Sequence, residues 1–529
     1  MAFSESRKHS LSSRFQLPGW WMSLILAGII VAGCLPRFFK LGHESLNFDE
    51  LASVWTSKLP LNRIIPEAVA AGHPPAFNLI THFWPMPAGN EFFSRTPSAL
   101  LGVLIIALVY ITGKELLNRA AGLWAAAITA ASPLMIWYSR DATYYCWLMA
   151  VSLLSLYFLI ISSRRGGWMR WSLYSFATLL VVGSYFLAFI LIIAGMAAFW
   201  LLRDPRLGQM QQWAVSHAIL AAAVVALFFM TRSATGGRSG LSMPSLQQIM
   251  KDIINWPVVF VQGYADQAIG SGVLGPMVSH REIIIACMCA AFIAILIFLR
   301  TVRKKRFFSR DVSALLIYAA ILVIGPVVVQ LAAPGSVFAS RYYVWAAPAF
   351  ALTLSFILAK LPLKIALFSG VILLALMTFY TVDEIKVRRN ENWRDIMAII
   401  ATQSQPVAGI LCFPEMHCSV AAAFYLPSSI PLYGGNISGD GVTNMYLKPW
   451  SGFTNVLPTP FPGGGLDAEI RQDLAGAGQV WMVTGDGALG NYPPTPQAKE
   501  ILEKYWKEGG KWDFPPLELF RYQASSAGN

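Results

Sequence analysis

Two adjacent acids, Asp49 and Glu50, stand in the run Asn47-Phe48-Asp49-Glu50, shortly after the first strongly apolar segment of the chain. Carboxylates are costly in a lipid-facing sequence. A carboxylate held beside a bilayer and partly removed from water is suited to act as a general base. The plainer alternative is a solvated acidic dipeptide. A third acid, Asp141, lies near the end of another apolar segment in Trp137-Tyr138-Ser139-Arg140-Asp141. It reads either as half of a local pair with Arg140 or as a second acid facing the same cavity. Arg341, in Ala339-Ser340-Arg341-Tyr342-Tyr343, is either an interfacial anchor beside tyrosine or a phosphate clamp, since a guanidinium matches phosphate geometry and stays charged. His73, followed by Pro74-Pro75, is a loop histidine or a phosphate contact. His217 lies inside an apolar segment and reads as a packing residue. No His/Cys/Asp cluster has metal-ligand spacing, so no cofactor is expected; a divalent metal is not indicated but stays open, since phosphate charge can be met by Arg alone or by a metal.

The elements that must position these residues are membrane spans. The chain has 529 residues, 56% hydrophobic and 13% charged, with a mean hydropathy of +0.53. A soluble domain carries about 25% charged residues, and many apolar stretches here approach the roughly 18 residues expected of a span. The formal charge of +12 follows from Lys and Arg gathered in short loops, above all Arg300–Arg306 with Arg310. This is the positive-inside pattern rather than a nucleic-acid surface. Arg7, Lys8 and Arg14 precede an apolar run from Trp20 to Leu35 that resembles a signal peptide. With so many spans downstream, it is expected to remain as an uncleaved first span.

The remaining apolar segments are Pro97–Gly113, Ala120–Trp137, Tyr145–Ile161, Trp171–Leu202, Trp213–Met230, Glu282–Leu299, Val312–Leu331, Tyr342–Ala359 and Ile365–Tyr380. Trp171–Leu202 has basic residues at both ends (Arg164, Arg165 and Arg170; Arg203 and Arg206). It should therefore cross twice, turning near Gly183-Ser184-Tyr185. The count becomes about eleven spans with a cytoplasmic N-terminus. Residues 1–381 then form a transmembrane catalytic domain. Loops 37–96 and 231–281, the short loop around Asp141, and a soluble domain at 382–529 fall outside the cytoplasm. Leu246–Val261 has amphipathic spacing suited to the membrane interface.

The tail reads as a small α/β domain. Strands are expected at Val407–Phe413, Gln479–Val483 and Leu517–Tyr522, and helices at Val420–Leu426 and Gln497–Glu508. The Gly- and Pro-rich stretch Gly434–Gly476 is expected to be irregular. Of the six cysteines, Cys412 and Cys418 lie in this soluble sequence. They either form a disulfide, if the region is extracytoplasmic, or stay one buried and one free. The chain has no P-loop and no GxGxxG followed by a helix, so nucleotide hydrolysis and a Rossmann cofactor have no support.

Four motifs in order, Asn47-Phe48-Asp49-Glu50, His73-Pro74-Pro75-Ala76-Phe77, Arg95-Thr96-Pro97-Ser98-Ala99-Leu100-Leu101-Gly102, and Ser132-Pro133 with Tyr138–Tyr144, resemble the first four spans of the GT-C glycosyltransferases. The nearest branch holds the protein O-mannosyltransferases and the bacterial lipid A aminoarabinose transferase. Arg341-Tyr342 and Trp393-Arg394-Asp395 extend the resemblance more weakly. It implies an α-helical polytopic membrane protein with a C-terminal soluble α/β domain, placed in a bacterial inner membrane. The implied activity is sugar transfer from a polyprenyl-phosphate-linked donor to a lipid, glycan or protein acceptor outside the cytoplasm, in a single inverting step.

Under the resemblance Asp49 is the base or orienting carboxylate, Glu50 supports it, and Asp141 is a second acidic position. His73 matches a position where aminoarabinose enzymes carry Lys near the donor phosphate, and Arg341 matches an arginine there. Arg95 and Arg140, within the matched motifs, are grouped with them on the phosphate side. The chain departs from its relatives at Ser184-Tyr185, where they often have His-Tyr, and at Asp141-Ala142-Thr143, where many have Glu-Ala-Arg.

Two other classes fit a polytopic chain. A transporter or flippase of lipid-linked sugars needs charges deep in the spans or discontinuous helices. An assembly protein with a glycan-binding outer domain needs no Asp49-Glu50 and Arg341 constellation.

Overall fold

The computed structural model describes residues 19–70, 74–204, 208–235, 256–257, 259–263, 309–332, 340–386, 391–403, 408–412, 415–426, 478–485, 495–514 and 517–524. It is a bundle of apolar helices with a small sheet beyond one end. The long apolar helices are α1 (Gly19–Phe38), α5 (Glu91–Leu116), α8 (Tyr145–Arg165), α11 (Met210–Thr235), α12 (Arg310–Ala332), α13 (Ala347–Lys360) and α14 (Leu363–Lys386). Among the described residues, seven stretches are long and apolar enough to cross a membrane, the one at α13 taking in the end of the 3-10 turn before it. An eighth forms if α6 (Arg119–Ala131) and α7 (Pro133–Ser139) count as one span bent by 62° at their break. Pro133 is the cause of the break. It has no N–H to continue a helix and suits the first turn of the next one.

The doubly basic segment forms two helices, α9 (Trp168–Val182) and α10 (Ala188–Leu202), with a turn between them at Gly183–Leu187. The apolar segment Glu282–Leu299 lies outside the described residues. The amphipathic segment at 246–261 takes a different course at its end. Trp256 and Phe260 are buried in the bundle, their rings pack on Phe350 at 5.3 and 4.9 Å, and Ser132 Oγ donates to the Phe260 carbonyl at 2.8 Å. Two aromatic rings gain more from that core than from an interface.

Charges mark the far end of the bundle. Arg164 and Arg165, at the end of α8, meet Glu115 of α5 and Asp311 of α12; Arg165–Glu115 and Arg164–Asp311 both close at 2.7 Å. At the near end lie three short helices of the first loop, α2 (Phe48–Lys58), α3 (Leu61–Ala70) and α4 (Ala76–Thr81), together with the Asp141 loop and the tail.

The tail holds α15 (Trp393–Gln403), β1 (Ala408–Cys412), α16 (Glu415–Tyr425), β2 (Gln479–Gly485), α17 (Thr495–Tyr505), β3 (Trp506–Phe514) and β4 (Leu517–Ala524). The sheet order is β1-β2-β4-β3, with β1 and β2 parallel and the other pairs antiparallel. The charged helix expected to reach Glu508 stops at Tyr505. Trp506-Lys507-Glu508 instead pairs with Ala524-Gln523-Tyr522, because a strand partner satisfies backbone groups that a helix end leaves open. Gly434–Gly476 lies outside the described residues, as do the side chains of Cys412 and Cys418.

One core joins the tail to the first loop. Leu46, Leu51 and Val54 of the loop pack with Trp393, Ile396, Met397, Ile400 and Phe424 of the tail.

Candidate active site

The site is built around Glu50. Helix α2 starts at a capping box: Asn47 Oδ1 accepts from the Glu50 N–H at 2.9 Å, and Glu50 Oε2 accepts from the Asn47 N–H at 2.9 Å. The same carboxylate receives Arg95 as a fork, Nε to Oε1 at 2.7 Å and Nη2 to Oε2 at 2.8 Å. It also accepts the Ala142 N–H at 2.9 Å. Glu50 is 1% exposed and Arg95 4%.

The remaining donors of Arg95 go to carbonyls of the loop: Nη1 to Leu41 and Glu44 at 3.0 and 2.8 Å, Nη2 to Ser45 at 2.9 Å. All five guanidinium N–H donors are thereby used. Sequence reading grouped Glu50 with the catalytic acids and Arg95 with the phosphate contacts. The structure has the two hold each other and, through them, the loop.

The pair positions two other acids. Asp49 precedes Glu50 in the first turn of α2 and is exposed, where a negative charge suits the helix dipole. Asp141 precedes Ala142, whose N–H Glu50 holds. Its Oδ2 accepts from Thr143 Oγ1 at 3.1 Å. Its Oδ1 is closed to water and has no hydrogen-bond partner among the described residues. Burial, then the charges of Glu50 and Asp49, hold the Asp141 carboxyl well above the usual aspartate range. It therefore carries a proton under conditions where an ordinary aspartate has lost it.

A fourth carboxyl, missed in the sequence, comes from the tail. Glu391 is buried, accepts from Trp393 Nε1 at 3.1 Å, and is pushed up to about 7 by burial, with Asp49 and Glu50 adding to the rise. The only sequence signal was its place next to Asn392-Trp393-Arg394, where the tail begins.

Arg140 is also committed. Its Nη1 donates to the carbonyls of Pro36 and Phe39 at 2.8 and 2.7 Å, capping the last turn of α1 as a cation does well. Beside it opens a cavity of about 530 Å³, lined among others by Glu50, Trp137, Arg140, Asp141, Asn392 and Arg394.

His73 lies outside the described residues, and so does the side chain of Arg341. The Ala76 N–H donates to the Gly183 carbonyl at 2.9 Å, tying the start of α4 to the turn between α9 and α10. Tyr185 of that turn packs edge-on against Trp345 at 5.1 Å. Trp345 belongs to the 3-10 helix Ser340–Ala346, which also contains Arg341. Trp147 Nε1 donates to Ser184 Oγ at 2.8 Å, fixing the start of the Gly183–Leu187 turn to α8. His217 sits in an aromatic cluster within the bundle, 4.7 Å from Trp213 and 5.7 Å from Tyr174 between ring centroids, as expected of a packing residue.

A family model described as dolichyl-phosphate-mannose-protein mannosyltransferase matches residues 72–233. Among solved structures, the chain is similar to ArnT from Cupriavidus metallidurans bound to undecaprenyl phosphate. The TM-score is 0.54 at 12% identity, over 97% of this chain and 100% of that one. The apo form of the same protein matches with a TM-score of 0.53 at 13% identity, over 96% and 99%. The Archaeoglobus fulgidus oligosaccharyltransferase tethered to an acceptor peptide matches with a TM-score of 0.50 at 13% identity, over 96% of this chain and 74% of that one. No curated protein sequence matches. The chain has the fold of the GT-C glycosyltransferases, a multi-pass membrane bundle with a soluble tail domain.

Proposed function

We propose that this protein is a membrane glycosyltransferase that moves a sugar from a polyprenyl-phosphate-linked donor to an acceptor outside the cytoplasm. The observation that carries the reading is the buried Glu50–Arg95 pair, whose carboxylate belongs to the residue after Asp49 and accepts the N–H of the residue after Asp141 at the near end of the bundle. Two acids in contrasting surroundings are what a displacement at an anomeric carbon requires. The exposed Asp49 takes the proton of the acceptor hydroxyl or orients it. The enclosed Asp141, whose carboxyl burial and the charges of Glu50 and Asp49 hold above the usual aspartate range, serves as the second acid of the pair.

Arg341 and His73 are assigned to the leaving phosphate, because a guanidinium stabilises the charge that develops there. The start of α4 and the 3-10 helix that contains Arg341 both contact the Gly183–Tyr185 turn, which supports this assignment for Arg341. The basic residues at the opposite end support a cytoplasmic assignment for that end. The donor class draws on the undecaprenyl phosphate bound by the similar ArnT structure.

The test compares envelope glycolipids and glycans by mass spectrometry in cells making the wild type, Asp49→Asn, or no protein. A species absent without the protein, present with wild type, and formed about 10²–10⁴-fold more slowly with Asp49→Asn, is expected. Unchanged glycans in cells lacking the protein would overturn the reading.

A further inference from the structure

The tail domain holds the loop that carries Asp49 through a small number of polar contacts besides the shared core. Arg394 forms an ion pair with Glu91 at 3.1 Å and donates to the carbonyls of His43 and Gly42 at 2.6 and 3.3 Å. The Tyr425 hydroxyl accepts the Leu46 N–H at 2.8 Å and donates to the same Glu91 carboxylate at 3.2 Å. Ser45 Oγ donates to the Glu391 carbonyl at 2.7 Å.

These contacts cover residues 42–46, the stretch that runs directly into the Asn47 cap and Asp49. Glu91 is 5% exposed and opens α5, the helix that carries Arg95. Tail, α5 and loop therefore meet at one carboxylate, one helical turn before Arg95 on α5. Arg95 holds the loop carbonyls of Leu41, Glu44 and Ser45, and the tail contacts hold Gly42, His43 and Leu46.

We infer that Arg394 and Tyr425 are positioning residues for Asp49, acting through Glu91 and the backbone of residues 42–46, so that the tail domain sets the aim of the reacting carboxylate. This rests on Asp49 being that carboxylate. The Tyr425 ring packs against the shared core, so the test removes its hydroxyl alone. Tyr425→Phe removes a hydroxyl and leaves the ring. Arg394→Gln removes the charge, and Arg394→Lys restores it without the fork.

The experiment uses the full-length protein in nanodiscs. Amide hydrogen exchange over residues 42–50 reads the loop, and titration with undecaprenyl phosphate reads the donor site. Product yield in cells reads transfer, with each variant also placed in an Asp49→Asn background. Tyr425→Phe and Arg394→Gln should exchange about tenfold faster over 42–50, with the transmembrane helices unchanged, since each loses a hydrogen bond that pins the loop. Transfer should fall about five- to fiftyfold, as small misplacements of a reacting group do, while undecaprenyl phosphate affinity stays within about twofold, the phosphate lying outside the coupled set. Arg394→Lys should recover part of the loss. In the Asp49→Asn background the same changes should cost little more, because the group they aim is already gone.

If Asp49→Asn is inactive but Tyr425→Phe and Arg394→Gln transfer at the wild-type rate, the tail does not position the acid and the inference fails alone. If their losses multiply in full with that of Asp49→Asn, they act through general stability and it also fails. If Asp49→Asn itself transfers normally, the base assignment falls and takes this inference with it.

Discussion

Replacing Glu50 by Gln would leave the guanidinium of Arg95 buried without its counter-charge. Breaking such a pair typically costs about 3–5 kcal/mol. Glu50→Gln is therefore expected to lower the amount of folded protein recovered from membranes and its melting temperature. Asp49→Asn, at an exposed position, should leave both unchanged, and size-exclusion profiles with thermal melts on the two purified variants check this. In the sequence the two acids look alike. The spacing Asn47-x-x-Glu50 was a readable capping box, but the partner of Glu50 stands 45 residues away, and no local pattern reports it.

Glu391 carries a pH prediction of definite sign. Its folded value of about 7 lies above the ordinary 4.5, so the native state holds its proton more tightly than the unfolded chain. Its contribution to stability is present below about pH 4.5 and is lost as pH rises through about 7, a decline of about 3 kcal/mol for a shift of this size. Asp141 acts with the same sign. Glu391→Gln should flatten, without abolishing, the fall in chemical-denaturation stability between pH 5 and pH 7.5. An equal fall in wild type and variant would show that Glu391 is not held protonated.

Helix crossings depend on a few small residues. A Cβ on Gly102 of α5 would stand 2.1 Å from Ser139 Oγ and 2.9 Å from Arg37 Nε, so a larger side chain must drive α7 away from α5 and α1. Arg140, the next residue after Ser139, would lose its hold on the end of α1. Gly102→Leu should therefore cut folded yield severely, whereas Gly28→Leu on α1, where nothing lies within 4 Å, should be neutral. Comparing detergent-extracted monomer peaks for the two decides it.

At this scale much was legible. Apolar runs mark the long helices, and the basic residues flanking Trp171–Leu202 reveal the turn at Gly183–Tyr185. Strand β3 was hidden, because Trp506-Lys507-Glu508 continues the charge pattern of α17. Its strand character comes from pairing with β4, which is a tertiary fact. The bend at Ser132-Pro133 was likewise read as one straight segment, although Pro133 signalled it.

At the scale of the whole molecule, the run of alternating helices puts Lys114, Arg119, Arg164, Arg165, Arg203 and Lys360 at one end of the bundle and the tail at the other. If the basic end is cytoplasmic, as the positive-inside rule predicts, the end of the chain lies outside the cytoplasm. A reporter fused there that is active only after export should give signal, and a signal from a cytoplasm-dependent reporter would invert the assignment.

The contact between Ser45 and Glu391 spans 346 residues, and the loop core closes only with Trp393 and Phe424. A ribosome adding about 5–20 residues per second needs roughly 20–70 s to make that stretch. During that time the loop bearing Asp49 has emerged without the half of its core that holds it. If the proposed function holds, a nascent chain would be catalytically mute until its last domain has been made, and any product of premature termination before Trp393 would enter the membrane as a silent bundle.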